Sequence, residues 1–267
     1  MQRLTDDLVQ GRGWMSPPDH ATVASNAFYR QFYEDFVFTS LQLTAVSNLE
    51  DLTDAIVGFL EDMARRDLKE VLKPIIHNTE VVRESLEATE STRAQVSLVR
   101  SVENLLVYLA EILREIFIQS PATLRSQESV ALEDVLAHES LDDFVQWAAD
   151  RRVTDLSFKG YAELERYFND RLKLTITDDP QLKRWFGEAV AVRNLFVHRR
   201  GRVDERYLRV SGDAALKVGD EYEVSRRDGY ESLLASRLIV QDLDERATAK
   251  FRLKTVATDA VKKTKST

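Results

Sequence analysis

Cysteine is missing from this chain, which excludes disulfides and thiol chemistry and leaves a cytoplasmic location as the expectation. Histidine is scarce, with four in 267 residues. Without cysteine, a zinc site would have to be assembled from scattered carboxylates, and no HExxH-like spacing begins one. Neither a metal nor a cofactor is expected. Glycine and proline are few, nine and five, against many Leu, Glu, Arg and Ala, which favours helix over sheet. No apolar run reaches the ~18 residues that a membrane span needs. The first twenty residues carry Asp6, Asp7, the Gly11/Gly13 and Pro17-Pro18 breaks and no hydrophobic signal-peptide core, so no membrane partner is expected. What remains, 43% hydrophobic and 31% charged, is ordinary for a globular chain able to bury a core.

The net charge of −8 argues against a nucleic-acid binder until its distribution is considered. Between Lys183 and Arg209, eight Lys/Arg stand against Glu188, Asp204 and Glu205, a net +5 that leaves −13 for the remainder. A local positive site on a negative body suits a small or single-stranded anion better than long duplex. The competing reading is a solvated basic face.

Periodicity divides the chain into a flexible tail (1–20), an N-terminal helical region (21–91), a main helical domain (92–250) and a basic disordered tail (251–267). From Thr22 to about Val46, Phe28, Tyr29, Phe32, Tyr33, Phe36 and Val37 recur at helical spacing and predict a core or partner-helix face. Asn48–Lys73 forms a second helical pattern that Pro74 breaks or kinks. The charged, Ser/Thr-rich stretch from Glu80 to Arg93 marks a weak boundary. Arg93–Gln119 is the strongest helix, with Val96, Val99, Val102, Leu106, Leu109, Leu113 and Ile116 on one stripe and Pro121 ending it.

Shorter helices follow. One covers Leu132–Ala137; another is capped by Ser140 and buries Leu141, Phe144 and Trp147. A third starts near Ser157 and buries Phe158, Tyr161, Leu164 and Phe168. Asp179 caps the next helix with Pro180 at its first position, and Gly201 ends it after Arg199 and Arg200 in the last turn. Tyr207–Val210 and Glu221–Ser225 are expected to pair as a small hairpin across Gly212 and Gly219, a β element near 207–225. Tyr230–Ala247 closes an all-α bundle.

Chemistry rather than packing is offered in one place, Arg193-Asn194-Leu195-Phe196-Val197-His198, at the end of the apolar helix and inside the basic segment. Cleavage of RNA needs a base for the ribose 2′-OH, a cation for the charge gathering on phosphorus, and an acid for the 5′ leaving oxygen. Histidine serves as base or acid near neutral pH, and arginine grips phosphate through a planar fork. Asn194 can hold the nucleophile or a non-bridging oxygen. At ~100° per residue Arg193 and His198 stand ~140° apart, flanking a groove rather than sharing a stripe. Arginine, four residues, histidine is a common spacing, and its bland counterpart is a helix-end histidine beside a surface arginine. The context distinguishes it: Asn194, the Leu-Phe-Val bridge, and the Gly201-Arg202-Val203-Asp204-Glu205-Arg206-Tyr207-Leu208 run.

From Arg193 to Leu208 the sequence resembles the signature end of HEPN domains, especially the prokaryotic branch grouped with RNA-targeting and ribosome- or phage-defence nucleases. The upstream order is similar over about residues 92–250: Ser101-Val102-Glu103-Asn104-Leu105 on the long helix, Ser157-Phe158-Lys159 on a middle one, and Lys217-Val218-Gly219-Asp220 before the last. The resemblance implies an all-α bundle, usually a symmetric dimer whose two Arg–His motifs face a shared cleft. It implies metal-independent RNA cleavage leaving a 2′,3′-cyclic phosphate, or, in silent members, an RNA-binding or interaction module. Carried over, Arg193 and His198 take the paired positions and Asn194 the polar one. One toxin branch has a modifiable tyrosine two places after the histidine, where this chain has Arg200.

The expected function is therefore a cytoplasmic endoribonuclease of a defence, stress or toxin–antitoxin system, acting on RNA as a homodimer, with an antitoxin or defence protein as partner. Arg199, Arg200 and Arg202 are expected phosphate contacts; Glu103 is either an accessory acid of the cleft or, as is more common for a glutamate on such a helix, simply solvated. A silent module binding RNA, a nucleotide or a protein is the alternative, and a helical scaffold with a fortuitous motif a third. Asp204 and Tyr207 are expected to tie the basic loop to the bundle; His20, His77 and His138 have no constellation around them.

Overall fold

The computed structural model describes residues 17–62, 81, 84–85, 87–125 and 129–258, with side chains of the first helix described to Leu41 and at Asn48 and Asp51. Among these residues lie eight α-helices: α1 (Val23–Asp62), α2 (Glu90–Gln119), α3 (Leu132–Leu136), α4 (Leu141–Lys159), α5 (Tyr161–Tyr167), α6 (Pro180–Arg199), α7 (Glu205–Ser211) and α8 (Arg226–Phe251). A 3-10 turn (Pro121–Leu124) and a π-helical turn (Phe168–Leu172) are interposed. The only sheet among them is a two-residue pair, β1 (His20–Ala21) antiparallel to β2 (Val256–Ala257). The protein is all-α.

Local chemistry sets the helix starts. Asp179 accepts from the backbone N–H of Gln181 at 2.8 Å and of Leu182 at 3.2 Å, and Pro180 fills the first position of α6. Ser140 caps α4 through Asp143 N–H at 3.1 Å. A Ser225–Asp228 capping box opens α8.

Among the described residues the core is one cluster built around α2, which packs on α8 along a seam of small residues. Ser101 donates to the Ser232 carbonyl at 2.7 Å, and its hydroxyl also meets that of Ser236 at 2.8 Å. At the head of the seam Gly229 faces the Ala94 backbone, where an added Cβ would lie 3.0 Å from Ala94 Cα and O. Gly→Ala inside a helix ordinarily stabilises by up to ~1 kcal/mol. Here the sign should reverse: Gly229→Ala is expected to cost about 1–3 kcal/mol in urea unfolding because two backbones must separate. A stabilised variant would mean that the α2–α8 contact is looser than the structure has it.

Several sequence expectations need correction. The two helical patterns read over Thr22–Val46 and from Asn48 onward belong to one helix, since α1 is continuous for 40 residues, Val23–Asp62. Pro74, His77 and residues 1–16 and 259–267 lie outside the described residues. The boundary at 91/92 does not divide the core, because Phe28, Tyr29 and Phe32 share it with α2, α6 and α8. Residues 17–20 and 251–258 are not wholly tails: the β1–β2 pair joins them, and Leu253 is buried.

The stripe expected on α2 is buried at Val102, Leu109, Leu113 and Ile116, and the buried face extends beyond it on one side while leaving its other residues less covered. Leu98, Leu105, Tyr108, Ile112 and Phe117 are buried, whereas Val96 is exposed and Val99 and Leu106 are half-buried. Leu141 is exposed, and Phe144 and Trp147 are half-buried around His138. Residues 207–210 are helical, so the expected hairpin is not formed. Asp204 caps α7 through Tyr207 N–H at 2.8 Å, and Tyr207 is buried against Tyr222. The actual partner of Glu221 is Arg202, in an isolated antiparallel bridge.

Candidate functional site

The last turn of α6 opens onto solvent, and its geometry follows from how that helix is buried. Leu182, Trp185, Phe186, Ala189, Val192 and Leu195 anchor it in the core. Arg193 and Asn194 are half-buried, and Val197, His198 and Arg199 are exposed. Because α6 stays α-helical through Arg199, Arg193 and His198 keep the ~140° separation of a regular helix and flank one cleft.

That cleft, about 760 Å³, is lined by both residues with Asn194, Glu103 of α2, Phe158 and Lys159 at the end of α4, and Arg199 and Arg206. Its apolar wall comes from Leu106, Val107, Leu156, Leu164 and Val190. Tyr161 also lines it; burial, reinforced by Glu165, holds its phenol well above the usual range, so it remains protonated and acts as a donor.

The Arg193 side chain is 20% exposed and held on two sides. Its Nε and Nη2 face one carboxylate oxygen of Glu103, and Nη1 donates to Asn194 Oδ1 at 2.8 Å. A guanidinium has five N–H donors, so about two remain for a ligand. With its carbonyl oxygen engaged, Asn194 presents its amide N–H groups elsewhere. Glu103, 42% exposed, thus meets Arg193 directly, which the sequence could place on a helix but not against a partner.

The basic loop is held from beneath. Arg200 and Gly201 both take left-handed backbone, at φ 54° and 77°. A Cβ on Gly201 would lie 2.9 Å from the Phe196 ring, so glycine is required there twice over. The Gly201 carbonyl accepts from Tyr222 N–H and the Asp220 carbonyl from Val203 N–H, each at 2.9 Å. Arg202 is consequently directed back, 3.7 Å from Glu221 and 3.3 Å from the Gly219 carbonyl. Arg199 and Arg200 are exposed. The three expected phosphate contacts therefore divide: Arg199 lines the cleft, Arg200 stands at the helix end, and Arg202 braces the loop.

The structure brings Arg193, Asn194, His198, Arg199 and Glu103 to one place. Asp204 lines it too while capping α7, the tethering role expected of it. His20 and His138 lie elsewhere, in β1 and beside Trp147. Sequence reasoning missed Phe158, Lys159 and Tyr161, having assigned Phe158 to the core. The available signal was Gly160, whose φ of 86° ends α4 and leaves Phe158 on its last, outward turn. Among the described residues no cluster of three His, Asp or Glu side chains could hold a metal ion, and no helix is long and apolar enough to cross a membrane. Compared with protein-family models, curated proteins and solved structures, the chain matches none of them.

Proposed function

We propose that the chain is a HEPN-type, metal-independent endoribonuclease that cleaves RNA by attack of its own 2′-hydroxyl. The observation that carries the reading is the convergence of Arg193, Asn194 and His198 from one helix end on a single open cleft rich in cations. Exposed His198 moves the proton, as base toward the 2′-OH or acid toward the 5′ oxygen. Arg193, held in orientation by Glu103, directs its remaining N–H donors at the non-bridging oxygens, where charge grows in the transition state. Asn194 donates to the same phosphate or holds the nucleophile. A cytoplasmic defence, stress or toxin–antitoxin setting, a homodimer and a silencing partner protein complete the proposal. The test is cleavage of single-stranded RNA in EDTA by the wild type against His198→Ala.

A second reading is favoured by a specific contact. The Glu103 carboxylate neutralises Arg193, which suits a silent module that binds RNA without cutting it. Both readings require the basic loop to meet phosphate. Replacing Arg199, Arg200 and Arg202 together by alanine should weaken RNA binding and reduce the slope of log K against log salt by up to about 2. Arg202 should contribute least, being turned toward Glu221. Target preference should change little, since phosphate contacts carry no sequence information. An unchanged slope would make the run a solvated face.

A further inference from the structure

Phe158 is 88% exposed, although it is a large aromatic side chain on a well-packed domain. It occupies the last turn of α4, where Gly160 turns the chain into α5, and it lines the cleft that holds Arg193 and His198. Half-exposed Val107 of α2 lines the same cleft. The surrounding charge is mainly positive: Lys159, Arg193, Arg199 and Arg206, against Glu103 and Asp204. Lys159 is steadied by Asp155 at 2.8 Å and remains half-exposed.

An open aromatic face beside cations is what a single-stranded polyanion with π-faced bases needs: cations follow the phosphates and the ring receives a base. Base-paired RNA has its bases stacked inside and offers no free face to Phe158. An acidic peptide would satisfy the cations but leave the ring against water.

We infer that Phe158 is a stacking platform for an unpaired nucleobase of single-stranded RNA, next to the phosphate held at Arg193 and His198. This rests on the proposed function and adds a substrate requirement to it: one unpaired base flanking the bound phosphate. The platform tolerates any base, because each has a π-face, so it selects strandedness rather than sequence.

The test uses full-length protein in EDTA with His198→Ala as background, and a fluorescein-labelled single-stranded oligoribonucleotide as probe. Phe158→Ala should weaken binding about ten-fold, the scale of one lost base stack. Phe158→Trp should restore it and Phe158→Leu should not, since leucine supplies apolar area without a π-face. A fully paired RNA of the same length should bind the parent and Phe158→Ala equally. So exposed a side chain can be replaced without disturbing the core, and sedimentation should show the same assembly state for every variant.

If RNA binds with the salt dependence of the basic loop but Phe158→Ala is silent, or Phe158→Leu restores it, the platform is refuted and the RNA reading stands. If Phe158→Ala changes the assembly state, the ring is a subunit contact and the platform is refuted. If the parent binds no RNA, both fall.

Discussion

His198→Ala is expected to lower the rate of RNA cleavage roughly 10²-fold or more, the scale of a lost general acid–base group. The substrate is single-stranded RNA in EDTA, and the products should carry 5′-OH ends and 2′,3′-cyclic phosphates. An all-deoxy strand lacks the nucleophile and should be spared. His198 is exposed at the end of α6, so its removal should leave thermal unfolding unchanged. Arg193→Ala should fall comparably, since the charge it supplies matters most in the transition state. Asn194→Ala should be milder if that amide only orients its neighbours. Equal cleavage by wild type and His198→Ala would identify a contaminating nuclease. No cleavage by either, on a broad RNA panel, would favour the silent binding module.

Glu103→Gln distinguishes the two readings further. It retains the shape facing Arg193 and removes the charge. If Glu103 orients the arginine for catalysis, cleavage should drop while RNA binding holds or tightens. If the pair merely neutralises a binding site, affinity should rise with nothing else to lose.

The site was legible to the extent that its chemistry is local. Asp179-Pro180 opens α6, the Arg193–His198 segment stays helical, and Arg200-Gly201 turns the chain left-handed after it, all within about twenty residues. Phe158 was misplaced because helical spacing alone does not say where a helix stops; Gly160 reorients the chain between α4 and α5, so Leu164 turns inward and Phe158 outward. The expected hairpin failed for a comparable reason. Asp204-Glu205 is a helix-start signal, and α7 uses it, against an alternation only four residues long. The small-residue seam of α2 and α8 joins positions more than 130 apart, which no periodicity within either helix reveals. The relation of α1 to the rest was hidden for the same reason.

That relation carries the other large expected effect. Thr22 precedes the first turn of α1, and its backbone N–H and hydroxyl both donate to buried Asp244 of α8, at 3.1 and 2.5 Å. Ala24 N–H donates to Glu115 of α2 at 2.8 Å, so carboxylates from two other helices hold the orphan donors of the α1 start. Tyr108 adds its hydroxyl to Asp244 at 3.4 Å. Asp244→Ala strands these buried donors and should cost about 2–5 kcal/mol in urea unfolding. Asp244→Asn keeps a carbonyl acceptor and should cost less. Burial pushes the Asp244 carboxyl above the usual range, against the lowering effect of the bonds from Thr22. The folded state therefore binds this proton more tightly than the unfolded chain. The resulting stability is fully present below the unfolded carboxyl pKa and is lost as pH rises through the elevated folded one. The stability of the wild type relative to Asp244→Asn should accordingly be greatest in acid and diminish toward neutral pH. A difference that instead grew with pH would mean that the bonds from Thr22 and Tyr108 outweigh burial and that the folded protein prefers the ionised carboxylate.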